Sequence, residues 1–326
     1  MSSSRQLPLN VNVEEKEEEF CLSVGVFDGL HLGHQYLLGK LLEVADNKGY
    51  TPGVITFKHH PQTILYPQKA VPQLTTLEKR IRLLREFGIN YVFPIDFNLA
   101  IARMSAHDFL KEICEQINLK SLTIGSDFAL GRDRQGTAKV LQQLGVELGF
   151  AVDVVGQKTA QDSNISSSNI RNLLKKGNLD QANSLLGRYY SIEGEVERGE
   201  GVGGTLGYPT ANMSIPENFL VPVDGIYATV SLLDGRRYRS ITSIGERPTF
   251  EFADRKHVVE TYIIDFNGDL YGKVIETFFI EWIRRQETFA NEGALIAQMK
   301  VDSQSAMTIL QKKYHPEFVG RGVIIP

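Results

Sequence analysis

Two histidines, His31 and His34, sit three residues apart in the string Gly25-Val26-Phe27-Asp28-Gly29-Leu30-His31-Leu32-Gly33-His34. An apolar run from Cys21 to Phe27 precedes the pair and predicts a buried strand, and helical spacing from Gly33 onward predicts an amphipathic helix. The pair therefore falls on a strand-to-helix turn. Gly29 and Gly33 would let the backbone approach a ligand closely, and the first amides of a helix favour an anion. Imidazoles placed there could face a phosphate together. Taken alone, the same two residues would also serve as half a metal site or as ordinary surface side chains.

Three more stretches carry candidate chemistry. Ile165-Ser166-Ser167-Ser168-Asn169-Ile170-Arg171 offers three hydroxyls at a predicted helix start and a guanidinium about one turn later, which would grip a phosphate or simply cap the helix. Gly199, Gly201, Gly203, Gly204 and Gly207 precede Tyr208-Pro209-Thr210-Ala211-Asn212, a density that suits either a phosphate-wrapping loop or a plain hairpin. Glu260 is an acid in a predicted strand, where alternation alone would turn it to solvent.

The elements that must position these residues fall into two patterns. Up to Val155, predicted strands alternate with helices. The strands are Cys21–Phe27, Gly53–Phe57, Tyr91–Ile95, Leu119–Ile124 and Ala151–Val155. Thr75 with Glu78 forms a capping box for a helix running to Phe87, Ser105 with Asp108 opens another, and a further helix lies around Val140–Leu148. Such alternation predicts an α/β fold with a doubly wound parallel sheet and ligands beyond the carboxyl ends of the strands. A two-helix segment, Ile170 to Leu186, follows. From Tyr190 the chain reads as strands (Ser191–Glu197, Ile226–Leu233, Arg237–Ser243, Val258–Phe266 and Val274–Trp282), predicting a small antiparallel β-barrel. A closing helix presents Leu295, Met299, Asp302, Ala306 and Ile309 or Leu310 on one side.

At 326 residues the chain can hold two cores, with the boundary read near Gly187. Residues 1–19, with Ser2–Ser4 and an acidic run, predict a mobile extension. A net charge of −4 with interspersed signs argues against a nucleic-acid surface. No apolar window is long enough for a membrane span. Cys21 and Cys114 form no framework and predict core thiols in a reducing compartment, by default the cytoplasm.

The full string Gly-x-Phe-Asp-Gly-x-His-x-Gly-His-Gln resembles the signature of the HxGH nucleotidyltransferases. Within them it is similar to the adenylyltransferase half of the bacterial bifunctional riboflavin kinase and FAD synthetase family. The resemblance implies a Rossmann-like adenylyltransferase domain at 20–187, attack of the FMN phosphate on the α-phosphorus of ATP, and release of pyrophosphate. His31, His34 and Arg171 would neutralise phosphate charge, Ser166 and Ser167 would close over the phosphates, and Mg²⁺ would bridge them. Gly25, Phe27, Asp28, Gly29 and Gly33 would shape the nucleotide turn, with Asp28 either orienting the metal or forming the turn itself. Gly125-Ser126-Asp127-Phe128-Ala129-Leu130-Gly131 is similar to the family's flavin- and nucleotide-facing loop, with Leu130 where Phe is usual. Thr56-Phe57-Lys58-His59-His60-Pro61 is similar to another loop, with His59 where Pro is usual.

Pro209-Thr210-Ala211-Asn212 resembles the riboflavin kinase motif, which implies a kinase domain at 188–326. Thr210 and Asn212 would hold Mg²⁺ carrying ATP, Gly203, Gly207 and Pro209 would shape the nucleotide loop, and Glu260 would be the general base for riboflavin. Two departures stand out: Gly203-Gly204 where the family has Gly-Arg, and Ser243 where it has Asn. They leave open an FAD synthetase whose barrel merely binds flavin. A non-catalytic flavin sensor is disfavoured by His31, His34, Ser167 and Arg171.

Overall fold

The computed structural model describes Leu9 and residues 17–156, 159–160, 163–198, 208–246 and 257–316. Gly203, Gly207 and most of the predicted extension lie outside the described residues. Leu9, within that extension, is 5% exposed among the core residues and donates its N–H to Gln116 Oε1 (3.1 Å).

The chain divides into two compact units, Met1–Ser167 and Ser168–Pro326. The first is built from β1 (Glu19–Val24), α1 (Leu32–Lys48), β2 (Thr51–Phe57), α2 (Pro61–Leu65), α3 (Leu77–Glu86) and β3 (Tyr91–Ile95). It continues through α4 (Leu99–Arg103), α5 (Ala106–Cys114), β4 (Asn118–Gly125), β5 (Ala129–Leu130), β6 (Gly136–Thr137), α6 (Ala138–Leu148), β7 (Ala151–Val155), β8 (Thr159–Ala160) and β9 (Ser163–Asn164). Five strands form a parallel sheet in the order β3-β2-β1-β4-β7. From β1 the chain winds outward to β3 and returns to the other side of β1 as β4. The carboxyl ends of β1 and β4 thus flank the crevice where such sheets bind ligands. The inner strands β1, β2 and β4 are mostly buried because both their faces are covered, whereas the edge strand β7 is partly exposed; Phe20, Leu22, Val24, Ile55, Leu122 and Ile124 share one core with Phe109, Leu110 and Ile113 of α5.

The second unit contains α7 (Ser167–Lys175, entered from the last residue of the first unit), α8 (Leu179–Leu186), β10 (Tyr190–Glu197), β11 (Thr210–Met213) and β12 (Gly225–Leu233). It ends with β13 (Arg236–Glu246), β14 (His257–Ile263), β15 (Val274–Arg284) and α9 (Glu292–Lys313). The sequence boundary at Gly187 places α7 and α8 with the amino-terminal half, yet both group with the barrel. Asn183 of α8 explains part of this, since its Nδ2 donates to Phe279 O (3.0 Å) and its Oδ1 accepts the Tyr190 N–H (2.7 Å).

Strands close into a barrel in the order β10-β11-β14-β13-β12-β15, all antiparallel. Asp234 and Gly235, both at positive φ (49° and 76°), make the two-residue turn between β12 and β13 that Asp-Gly favours. α9 lays Ala306 and Leu310 against Ala228, Val230, Phe278 and Ile280 on the outside of the barrel. Part of the interior is polar. Thr229 Oγ1 lies 2.8 Å from Ser240 Oγ and 3.0 Å from Thr242 Oγ1, Thr242 lies 2.9 Å from Thr261, and Thr261 and Thr277 donate to the Met213 sulfur. The five hydroxyl residues are all 0% exposed, and this ladder gives each of them a partner inside the barrel.

Candidate active sites

The histidine turn is built as the sequence leads one to expect, with local differences. β1 stops at Val24, three residues before the predicted end, because Phe27 adopts a positive φ of 52° and the chain turns there. Gly29 (φ 79°) and Leu30 (φ 36°) continue the turn. Phe27 is 1% exposed and packs edge-on against the His34 ring at 5.2 Å; a side chain at Gly25 would meet the Phe27 ring at 3.0 Å. His31 is the N-cap of α1, its Nδ1 accepting the His34 N–H at 3.2 Å. That bond leaves the ring hydrogen on Nε2 in the neutral tautomer. The two imidazoles stack at 3.6 Å with planes 14° apart.

A brace holds the turn from beneath. Asp28, 2% exposed, accepts the Leu74 N–H on both oxygens (3.0 Å each), the Thr75 N–H at 3.0 Å and the Thr75 hydroxyl at 3.1 Å. The Thr75 hydroxyl in turn accepts the Gly29 N–H at 3.2 Å. Of the two roles open to Asp28 in the sequence, these bonds serve the shaping of the turn. Thr75 itself needs correction. The N-cap of α3 is Thr76, whose hydroxyl accepts the Lys79 N–H at 3.2 Å, and Thr75 reaches the histidine turn instead. Sequence reading also passes over Arg80, which is 1% exposed and donates to Val26 O (2.7 Å), Thr56 Oγ1 (3.2 Å) and Phe57 O (3.0 Å). Burial pushes its guanidinium down from the usual range, and the Asp28 carboxylate opposes that push. No local pattern marks an arginine on a helix as a buried brace.

The serine string meets the turn. Ser167 Oγ donates to Asp28 O at 2.8 Å across 139 residues of chain. A side chain at Gly33 would crowd the His31 ring at 3.2 Å and Ile165 O at 3.3 Å, so glycine is what lets the two segments approach. Ser166 is half-buried beside Ser167, and Arg171, 7% exposed, lies on α7 in the second unit. In the loop after β4, Asp127 is exposed and its carbonyl accepts from Arg134 Nη2 (3.2 Å). Gly131 (φ 78°) passes so close to α5 that a side chain would meet Ala106 N at 2.5 Å. His60 caps the short α2, accepting the Gln62 N–H at 3.2 Å.

On the barrel, the predicted glycine-loop motif ends in a strand: Thr210 to Asn212 belong to β11. Asn212 pairs with Glu260 of β14, Glu260 pairs with Ser243 of β13, and Thr210 pairs with Tyr262. Thr210, Asn212, Glu260 and Ser243 are half-buried and alternate with the buried Ala211, Met213, Val259, Thr261 and Thr242, so all four share the outer face. Exposed Pro209 precedes them, and Tyr208 packs edge-on against Tyr262 at 5.1 Å. Ser243 Oγ accepts from Gln286 Nε2 at 2.8 Å, a contact with no local sequence signal. Nearby, Arg284 donates through Nε and Nη2 to Asp302 of α9 (2.9 and 2.7 Å), and Gln298 Nε2 donates to the same carboxylate at 2.9 Å.

Both cysteines are free, and burial pushes each thiol above its ordinary range, the chemistry of inert core residues. Among the described residues no helix is long and apolar enough to cross a membrane.

Comparisons with known proteins agree on both halves. A family model described as FAD synthetase matches residues 13–169, and one described as riboflavin kinase matches residues 186–310. The bifunctional riboflavin kinase/FMN adenylyltransferase of Bacillus subtilis is 34% identical over 298 residues, covering 90% of this chain and 94% of that protein. The protein of the same description from Escherichia coli is 34% identical over 300 residues, again with 90% and 94% covered. A crystal structure described as a macrolide-efflux protein from Streptococcus pneumoniae superposes with a TM-score of 0.81 at 28% identity, covering 90% of this chain and 96% of its own. With near-complete overlap and two family models in sequence, the chain belongs to the bifunctional riboflavin kinase/FMN adenylyltransferase family.

Proposed function

We propose that the histidine turn transfers an adenylyl group from ATP to FMN, yielding FAD and pyrophosphate, and that the barrel phosphorylates riboflavin to FMN. The observation that carries the first assignment is the bond from Ser167 to the Asp28 carbonyl, which seats the serine string on the turn that presents His31 and His34. An FMN phosphate oxygen attacks the α-phosphorus of ATP as the bond to the β-phosphate oxygen breaks. Such a transfer needs position and charge neutralisation rather than a protein nucleophile. His31 donates from Nε2 to phosphate oxygens because its Nδ1 is held by the helix backbone. His34 and the amides at the start of α1 add to that field, Ser166 and Ser167 close on the phosphates, and Asp127 borders the flavin side. Arg171 keeps the charge-neutralising role its string implies. The adenylyltransferase is assigned to 20–187 and the kinase to 188–326.

In the kinase step, Glu260 accepts the proton of the ribityl 5′-hydroxyl as that oxygen bonds to the γ-phosphorus of ATP and ADP leaves. Thr210 and Asn212 suit Mg²⁺, since they set two neutral oxygen donors on the face shared with Glu260, and this ion commonly takes one or two protein oxygens beside phosphate and water. When bound, the ion neutralises phosphate charge. Asp28 is not assigned to metal, its carboxylate being engaged by Leu74 and Thr75. The substrates are small molecules, and unpaired thiols suit a reducing cytoplasm.

Chromatography of the products tests this. Purified chain with riboflavin, ATP and Mg²⁺ is expected to form FMN and then FAD. FAD formation from FMN without FMN formation from riboflavin would leave a monofunctional synthetase with a flavin-binding barrel, and neither product would refute both assignments.

A further inference from the structure

We infer that Gln286 is a positioning residue of the kinase step, acting on Glu260 through the hydroxyl of Ser243; the inference rests on Glu260 being the base. Asn212, Glu260 and Ser243 form one row across β11, β14 and β13 on the outer face of the barrel. Direct cross-strand partners in an antiparallel pair hold their Cβ atoms about 4.5–5.5 Å apart, within reach of a hydroxyl and a carboxylate. Gln286, two residues beyond β15, extends that row by donating from Nε2 to Ser243 Oγ at 2.8 Å.

The direction of that bond matters. A serine oxygen that accepts an N–H keeps its single O–H to give away, and on this face the carboxylate opposite it is Glu260. A glutamate that receives a hydrogen bond is held in one orientation with a lone pair left for the incoming hydroxyl. Ser243 is shorter than the asparagine the family resemblance leads one to expect, and Gln286 returns a carboxamide to that place from another part of the chain. The backbone accommodates it. Gly245 lies on the same face of β13 two residues on, and a methyl group there would fall on the Gln286 carboxamide, against its Oε1, Nε2 and Cδ. Glycine at 245 is therefore the condition for Gln286 to lie across the strand.

The test is steady-state FMN formation from riboflavin by the full chain, with FMN-to-FAD conversion as the control. Gln286→Ala is expected to lower kcat about 5- to 10-fold, the worth of one hydrogen bond, with the riboflavin KM within about twofold. Gly245→Ala, which retains Gln286 but displaces it, is expected to reproduce that loss. In a Ser243→Ala background, Gln286→Ala is expected to cost nothing further, because the relay is already cut. Additive losses, an unimpaired Gly245→Ala enzyme, or an unchanged kcat in Gln286→Ala would each overturn the inference. FMN formation that survives Glu260→Ala would overturn the base assignment beneath it, whereas a rate abolished by Glu260→Ala but indifferent to Gln286→Ala would overturn this inference alone.

Discussion

Thr75→Val keeps the shape of the side chain and removes the hydroxyl on which two other groups of the histidine turn depend. The Gly29 N–H loses its bond to the Thr75 hydroxyl within a buried turn, which costs about 1–3 kcal/mol. The Asp28 carboxylate loses one charge-assisted bond but keeps the Leu74 and Thr75 amides, so its share lies at the low end of about 1.5–3 kcal/mol. Part of the sum is relieved by small shifts, leaving about 2–3 kcal/mol against the turn. If that free energy is expressed where His31 and His34 must hold phosphate, FMN-to-FAD conversion falls about 30- to 150-fold. The assay is chromatography of FAD formed from FMN, with FMN formed from riboflavin followed in parallel as the internal control. Loss of both steps to the same degree, or an adenylyl-transfer rate within threefold of the parent at unchanged melting temperature, would refute the claim that Thr75 braces this turn.

His31→Ala is expected to lower FAD formation by about 10²–10³-fold, as for removal of a donor to developing charge, while FMN formation continues. Glu260→Ala is expected to do the converse, lowering FMN formation by about 10²–10⁴-fold in the same chromatographic assay. Asp302→Ala removes a carboxylate whose side chain is 6% exposed from the bidentate Arg284 pair and is expected to destabilise the barrel unit by about 3–5 kcal/mol, read from denaturant unfolding. Gly131→Ala sets a methyl against the α5 backbone at a positive φ and is expected to unfold the loop after β4, seen as early protease cleavage there.

Long buried segments were legible from their apolar runs. The reading of β3 and β7 is right to the residue, and five of the six barrel strands are right to within a few residues, because apolar runs and alternation need no tertiary knowledge. β11 is missed, since Thr210–Met213 is short and follows a glycine-rich stretch that reads as a loop. Errors arise where a distant partner decides. Thr75 and Thr76 are equally good caps by composition, and only Asp28 tells them apart. Phe27 reads as strand because its aromatic ring suits one, although its backbone turns left-handed to pack on His34. Arg80 looks like a solvated helix residue, since nothing within a few positions announces the carbonyls of Val26 and Phe57. Motif strings pointed to the histidine turn and to Glu260. They could not say that Ser167 would rest on Asp28, or that Gln286 would return to Ser243, because those contacts span 139 and 43 positions.

The hydroxyl ladder inside the barrel bears on how reliably the outer face is assembled. Strand pairing has a period of two, so sliding β14 by one residue would drive Thr261 outward and bring Glu260 in among serines, threonines and the Met213 thioether. There a carboxylate would find donors already committed to one another, and each displaced hydroxyl would leave its former neighbour unmet. Misalignment is thereby penalised twice, once by the stranded acid and once by the broken chain of hydroxyls. The buried interior acts as a ruler for the outer face: the alignment that lets Thr229, Thr242 and Thr261 meet is the one that sets Glu260 between Asn212 and Ser243.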